Sequence, residues 1–207
     1  MSERALFLRE FIQSPLRTAS IVPSSRSLAE QMIAALPGTD DPVVVELGPG
    51  TGTFTEAVQD RLAGRGRHIA IELNEAMTAH VSRRCPGAEV VTGAAADLPG
   101  ILAARGIAGA DYVVSGLPWS AFVGPVGRAL VDTIAASLTP AGVYTQFTYA
   151  WTRWAPPGRR QLAQLRTAFD EVLIARTVWR NMPPAVVYVS RRPRTPAVTV
   201  PDLARSA

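Results

Sequence analysis

A chain of 207 residues, 47% of them hydrophobic, has the volume for one substantial core and is short for two compact domains. Its single cysteine, Cys85, excludes an intrachain disulfide and a cysteine-based zinc site, so no metal is expected. The positive charge is all arginine, and the formal net charge of +4 permits an anionic partner, nucleic acid or acidic lipid headgroups, without choosing between them.

In chain order, residues 1–26 are expected to form an N-terminal helical segment. Leu6, Phe7, Phe11 and Ile12 share a face, with Arg4 and Arg9 off it. Such a helix suits an anionic membrane interface, as a lid that contacts lipid, and equally suits docking on the protein's own sheet. No apolar run approaches the roughly 18 residues that cross a bilayer, and the N-terminus lacks the apolar stretch of a signal peptide. The expected location is therefore cytoplasmic, with peripheral association at the inner membrane.

Residues 27–192 alternate short β-branched runs with helical patterns. VVVEL precedes a helix bearing Phe54, Val58 and Leu62; HIAIEL precedes one with Met77 and Val81. AEVVTG and ADYVVS follow, then a helix with Val126, Leu130, Ile134 and Leu138, and then GVYTQFTY. This alternation predicts a parallel sheet with crossover helices on both faces. Beyond a helix near Gln161 to Ala168, EVLIARTVW and AVVYVSR are joined so briefly, through Asn181, Met182, Pro183 and Pro184, that they must be antiparallel. Two candidate capping boxes, Ser27 with Glu30 and Thr53 with Glu56, mark helix starts. Residues 193–207, without apolar periodicity, read as a flexible tail.

The run from Gly48 to Gly52 follows strand VVVEL, at the edge where open α/β sheets bind ligands. Its G-x-G-x-G spacing lacks the third glycine of the dinucleotide fingerprint. With Glu46 just before it, the loop suits an ammonium better than a diphosphate. Glu72 ends the next strand, where a carboxylate can take two ribose hydroxyls, and Leu73 follows it. Asp97 comes after the third strand, placed for an adenine amino group, with Leu98 against the ring.

Through ELGPGTG, IELNEAM, AAADLP and SGLPW the sequence resembles the S-adenosylmethionine-dependent methyltransferases. The resemblance implies the Rossmann-like class I fold, a mostly parallel seven-stranded sheet closed by a C-terminal antiparallel hairpin, with S-adenosylmethionine as cofactor. It implies that Gly48, Gly50 and Gly52 border the methionine end, that Glu72 holds the ribose and Asp97 the adenine, and that Ser115 lies near the sulfonium. The rRNA adenine N6-methyltransferases look similar but carry Asn where Ser115 stands. No dense basic run with interleaved aromatics is present either, which disfavours a nucleic-acid partner.

FLREFIQSPLRTASIVPSS, SGLPW and VWRNMPPAVVY resemble bacterial phospholipid N-methyltransferases. That implies an aminophospholipid acceptor, chiefly phosphatidylethanolamine, with ornithine lipid as the alternative. An alkylamine with a pKa near ~10 is mostly protonated at neutral pH, so something must accept a proton. His68 and His80 read as structural. Tyr149, with Trp119 and Trp151, could surround an ammonium through cation–π contacts, and the same residues could equally be core. Ser115, Trp119 and Tyr149 are the candidate catalytic residues, and oligomeric state is left open.

Overall fold

The structure is a computed structural model and describes residues 24–39, 41–119, 122 and 124–194. The N-terminal helix expected over residues 1–26 thus falls almost wholly outside the described residues, as does most of the expected tail. Within them the chain runs α1 (Arg26–Ile33), β1 (Val43–Leu47), α2 (Thr53–Leu62), β2 (Arg67–Glu72), α3 (Glu75–Arg84), β3 (Glu89–Thr92), a 3-10 turn (Ala95–Asp97) and α4 (Leu98–Ala103). It continues through β4 (Ala110–Ser115), α5 (Gly124–Ala136), β5 (Leu138–Tyr149), a 3-10 turn (Thr152–Trp154), α6 (Pro156–Ala168), β6 (Phe169–Ile174) and β7 (Ala185–Pro193).

All seven expected strands join one sheet in the order β3-β2-β1-β4-β5-β7-β6. The first five are parallel, and β7 lies antiparallel between β5 and β6. Parallel strands need crossover helices, and a sheet flanked on both sides must be apolar on both faces. The alternation on β1 meets that demand: Val45 and Leu47 face the core beneath α4, α5 and α6, while Val44 faces the one beneath α1 and α2. Crossovers turn one way from β1 to β3 and the other way from β4 onward, so the switch point lies between β1 and β4.

Several boundaries differ from the sequence reading. Leu138 opens β5 rather than closing the helix before it, because that helix ends at Ala136. Val126 and Met77, expected on buried faces, are 44% and 39% exposed, so the buried stripes are set by Leu130, Ile134 and Val81. Neither capping box forms. Ser25, not Ser27, caps α1 by accepting the Leu28 amide, and α2 starts at Gly52 in a left-handed conformation that no side chain caps. At the C-terminus β7 pairs through Pro193 opposite Phe169, and Arg194 bonds Asp170 at 2.9 Å, so ordered structure reaches into the expected tail.

The start of α1 is tied to the final hairpin. The Ser25 amide donates to Asn181 Oδ1 at 2.9 Å, and Asn181 Nδ2 donates to the Pro183 carbonyl at 2.7 Å. Tyr112 and Thr145 on the sheet both donate to the Met32 carbonyl at the other end of the helix. The segment boundary expected at residue 26 therefore falls inside an element that belongs to the domain.

Candidate active site

The glycine loop leaves β1 at the switch point, where its backbone is squeezed against the loop that leaves β4. The Gly116 amide donates to the Leu47 carbonyl at 2.8 Å, and a Cβ on Gly116 would stand 2.5 Å from the Gly48 carbonyl oxygen. That contact explains the glycine in SGLPW: two backbones meet where a side chain would fit neither. Gly48, Gly50 and Gly52 all hold positive φ, at 72°, 55° and 90°, conformations that cost an L-residue about 1–2 kcal/mol. A Cβ on Gly50 would meet nothing within 4 Å, so this turn of the loop is open above.

Glu72 is joined to that loop. Its Oε2 accepts the Gly50 amide at 3.2 Å and its Oε1 accepts the Asn74 amide at 3.0 Å. A carboxylate has about four lone-pair sites, so both oxygens keep acceptor capacity for a ligand's hydroxyls. Asn74 in turn caps α3 by accepting the Ala76 and Met77 amides. Leu73, between them, is half-buried. Past β3, Asp97 is exposed, with Oδ2 accepting the Ala94 amide at 3.3 Å.

A clamp that sequence reasoning missed closes the loop from the other side. Arg84 donates to both Glu56 carboxylate oxygens, at 2.6 and 2.9 Å, and through Nη1 to the Thr51 carbonyl at 3.0 Å. These bonds hold the Glu56 carboxyl below its usual range. The capping-box pattern had assigned Glu56 to a local turn, whereas its partner lies 28 positions away. The Arg84 charge at the loop is thereby matched by a carboxylate.

Two cofactor-binding expectations are corrected by burial. Leu98 is 0% exposed and belongs to the core under β1 and β4, so it cannot lie against a ligand's ring. Glu46 is likewise wholly enclosed; its carboxylate lies 3.4 Å from His68 Nε2, without hydrogen-bond alignment. His68 Nδ1 is 2.8 Å from Gln59 Nε2. Strand alternation turns Glu46 under α2, behind the loop rather than onto the rim. His68 is structural, as expected.

The expected cage of Trp119, Tyr149 and Trp151 does not assemble. Trp119 is 4% exposed, and its indole N–H donates to Ser115 Oγ at 3.1 Å, while its ring meets Tyr144 at 6.3 Å. Ser115 Oγ also accepts the Leu117 amide at 3.3 Å, so this hydroxyl holds the turn in place. Ser115 pairs with Gln146 across β4 and β5, which puts Tyr149, three residues on, on the opposite face from Trp119. Trp151, in contrast, is 66% exposed.

Tyr149 belongs instead to an aromatic wall. Its ring meets Phe147 edge-on at 5.9 Å, and Phe147 meets Phe54 edge-on at 5.9 Å. Phe54 lies in the first turn of α2, just after the glycine loop, so the wall runs from that loop to the end of β5. On the other face Tyr144 donates to Gln146 Oε1 at 2.9 Å, and burial pushes its hydroxyl pKa well up, so it remains a donor. Among the described residues no group of three or more His, Cys, Asp and Glu side chains could hold a metal.

No protein-family model matches the chain. Its fold is similar to that of precorrin-6y C5,15-methyltransferase from Geobacter metallireducens, with a TM-score of 0.62 at 15% identity over 84% of this chain and 92% of that one. It is also similar to fibrillarin from Aeropyrum pernix, solved with natively bound S-adenosyl-L-methionine, with a TM-score of 0.59 at 16% identity over 80% and 74% of the two chains. Sheet order, antiparallel hairpin and glycine rim together define the Rossmann-like class I methyltransferase fold.

More narrowly, the chain is 34% identical over 197 residues to the ornithine lipid N-methyltransferase of Singulisphaera acidiphila, covering 92% of this chain and 97% of that protein. It belongs to the same family.

Proposed function

We propose that the protein methylates the amine of ornithine lipids at the inner face of a membrane. The kinship over 92% of the chain carries this reading. It favours the ornithine lipid over phosphatidylethanolamine, the acceptor first expected from the sequence.

S-adenosylmethionine supplies an electrophilic methyl group on a sulfonium. The residues present fit it: the Gly48–Gly52 loop is open above Gly50, Glu72 keeps acceptor capacity for ribose hydroxyls, and Asp97 is exposed for the adenine amino group. Arg84, the cation at this loop, is matched by Glu56, so its repulsion of a cationic ligand is offset.

The chain's remaining task is to align an amine and exclude water. Ser115 and Trp119 act as positioning residues, fixing Gly116, Leu117 and Pro118 at the mouth of β4. Freeing the lone pair of an ammonium with a pKa near ~10 costs on the order of 4 kcal/mol at neutral pH. We assign Tyr149, half-buried at the end of β5, to relay that proton, its phenol oxygen accepting from the ammonium as its own O–H proton passes to solvent. A Tyr149→Phe enzyme should lose turnover with donor affinity intact; full turnover would remove the hydroxyl from the pathway.

The test is incubation of purified protein and methyl-labelled donor with ornithine lipid, phosphatidylethanolamine and RNA, each separately, the lipids in detergent micelles. Label is expected in ornithine lipid. Label confined to phosphatidylethanolamine or to RNA, or absent from all three, would overturn the proposal.

A further inference from the structure

Three of the chain's four tryptophans are on the surface. Trp151, Trp154 and Trp179 are 66%, 70% and 77% exposed, and Met182 is 73% exposed. Indoles bury a large apolar area wherever a fold lets them, and Trp119 shows this fold doing so. The exposed set sits on two loops, β5 to α6 and β6 to β7.

Those loops occupy one edge. Tyr149 pairs with Ala185, the Ala150 amide donates to the Pro184 carbonyl at 2.8 Å, and Val178 bridges Ala185, so the residues after β5 and those before β7 leave the sheet side by side. Because β5 is parallel to β4, this is also the edge where Ser115 ends its strand.

Charge separates this edge from the rest of the chain. Residues 150–160 and 175–184 contain five arginines, Arg153, Arg159, Arg160, Arg176 and Arg180, and no Asp or Glu, although the whole chain has 17 acidic residues. The Arg153 guanidinium lies over the Trp154 ring, 4.6 Å from its centroid. The contact sets exposed apolar indole surface beside a cation, the pairing that suits the headgroup level of a bilayer.

We infer that the rim formed by the β5–α6 loop and the β6–β7 hairpin seats the protein on an anionic phospholipid surface, the indoles entering the interface and the arginines meeting the headgroups. This rests on the lipid-acceptor reading above and extends it: the rim would hold the mouth of β4 against the bilayer, where a lipid amine arrives without leaving the membrane.

The experiment is co-sedimentation of the full chain, without donor, on vesicles of phosphatidylglycerol and phosphatidylcholine in equal parts, free of ornithine lipid. Wild type is expected to partition onto these vesicles and not onto phosphatidylcholine alone, with a blue-shifted indole emission. A Trp154→Ser/Trp179→Ser double variant should lose partition by about tenfold or more, while Leu173→Ser, another exposed apolar residue, on β6, should bind as wild type does. Unchanged partition of the double variant, or equal partition onto neutral vesicles, would overturn the inference. So would a melting temperature lowered by several degrees in the double variant, because the indoles would then be packed against the chain itself. Weakened binding of single-stranded RNA with vesicle partition intact would assign the surface to nucleic acid, again overturning it. The micelle assay of the wild type reads the acceptor independently, so the two proposals fail separately.

Discussion

The two halves of the active edge are built differently. On the donor side, over β1, β2 and β3, backbone amides and carboxylates are bonded to one another across short distances: Glu72 to Gly50 and Asn74, Arg84 to Glu56 and Thr51. On the proposed acceptor side, over β4, β5 and β7, one serine and a buried indole hold a turn, an aromatic wall flanks it, and indoles stand in solvent. The first half is organised before any ligand arrives. The second has its apolar surface exposed, which fits an acceptor that brings its own apolar environment.

That contrast can be broken first at Trp119. If the indole is core, Trp119→Ala should cost about 3–5 kcal/mol of stability and depress donor binding and turnover together. A stable variant that binds donor normally and fails only with lipid would return Trp119 to the acceptor. Trp119→Phe, which removes part of the indole's volume together with the bond to Ser115, should cost less than the alanine change, about 1–3 kcal/mol.

Gly116→Ala probes the seam between the halves. Its Cβ would meet the Gly48 carbonyl, and forcing atoms into a packed site costs about 1–3 kcal/mol, read as a lowered denaturant midpoint with weakened donor binding. Gly50→Ala has room but an unfavourable φ of 55°, so its penalty should stay near ~1–2 kcal/mol. Equal effects at the two positions would mean that backbone conformation, not the contact, decides.

Glu72→Gln should weaken donor affinity about tenfold to a hundredfold, since bonds to a charged acceptor contribute about 1.5–3 kcal/mol. Calorimetric titration checks this, with the melting temperature showing whether the loop survived.

The smallest effect belongs to Glu56, whose pair with Arg84 is largely exposed and so contributes at most about 1 kcal/mol. Arg84 lowers the folded-state pKa of the carboxyl, so its contribution is present above the ordinary carboxylate pKa near ~4.3 and is lost as pH falls through the folded value. Glu56→Gln should therefore melt slightly below wild type at pH 7 and converge with it in acid.

The donor half was legible in the sequence because its signals are local. A strand, three glycines and an acid ending the next strand lie within 30 residues, and Gly48 to Gly52 and Glu72 sit at the strand ends that the pattern predicts, whatever they bind. Leu98 and Glu46 were misread because sheet alternation and the helices above decide which side chain reaches the rim, and neither is written in a five-residue motif. Trp119 failed for a longer-range reason: whether an indole after a Gly-Leu-Pro turn goes in or out depends on the space beside Tyr144. The register that separates Trp119 from Tyr149 exists only once β4 and β5 pair. Asn181 was noticed in the sequence as part of a proline-rich turn, yet its bond to Ser25 spans 156 positions and could not be read from either end.

A calorimetric titration of the folded full chain with S-adenosylmethionine tests the donor rim most directly. Saturable binding at one site, weakened by Glu72→Gln but not by Trp154→Ser/Trp179→Ser, is expected. No binding heat from protein that melts cooperatively, or equal weakening by both variants, would contradict the division of the edge into a donor half and an acceptor half.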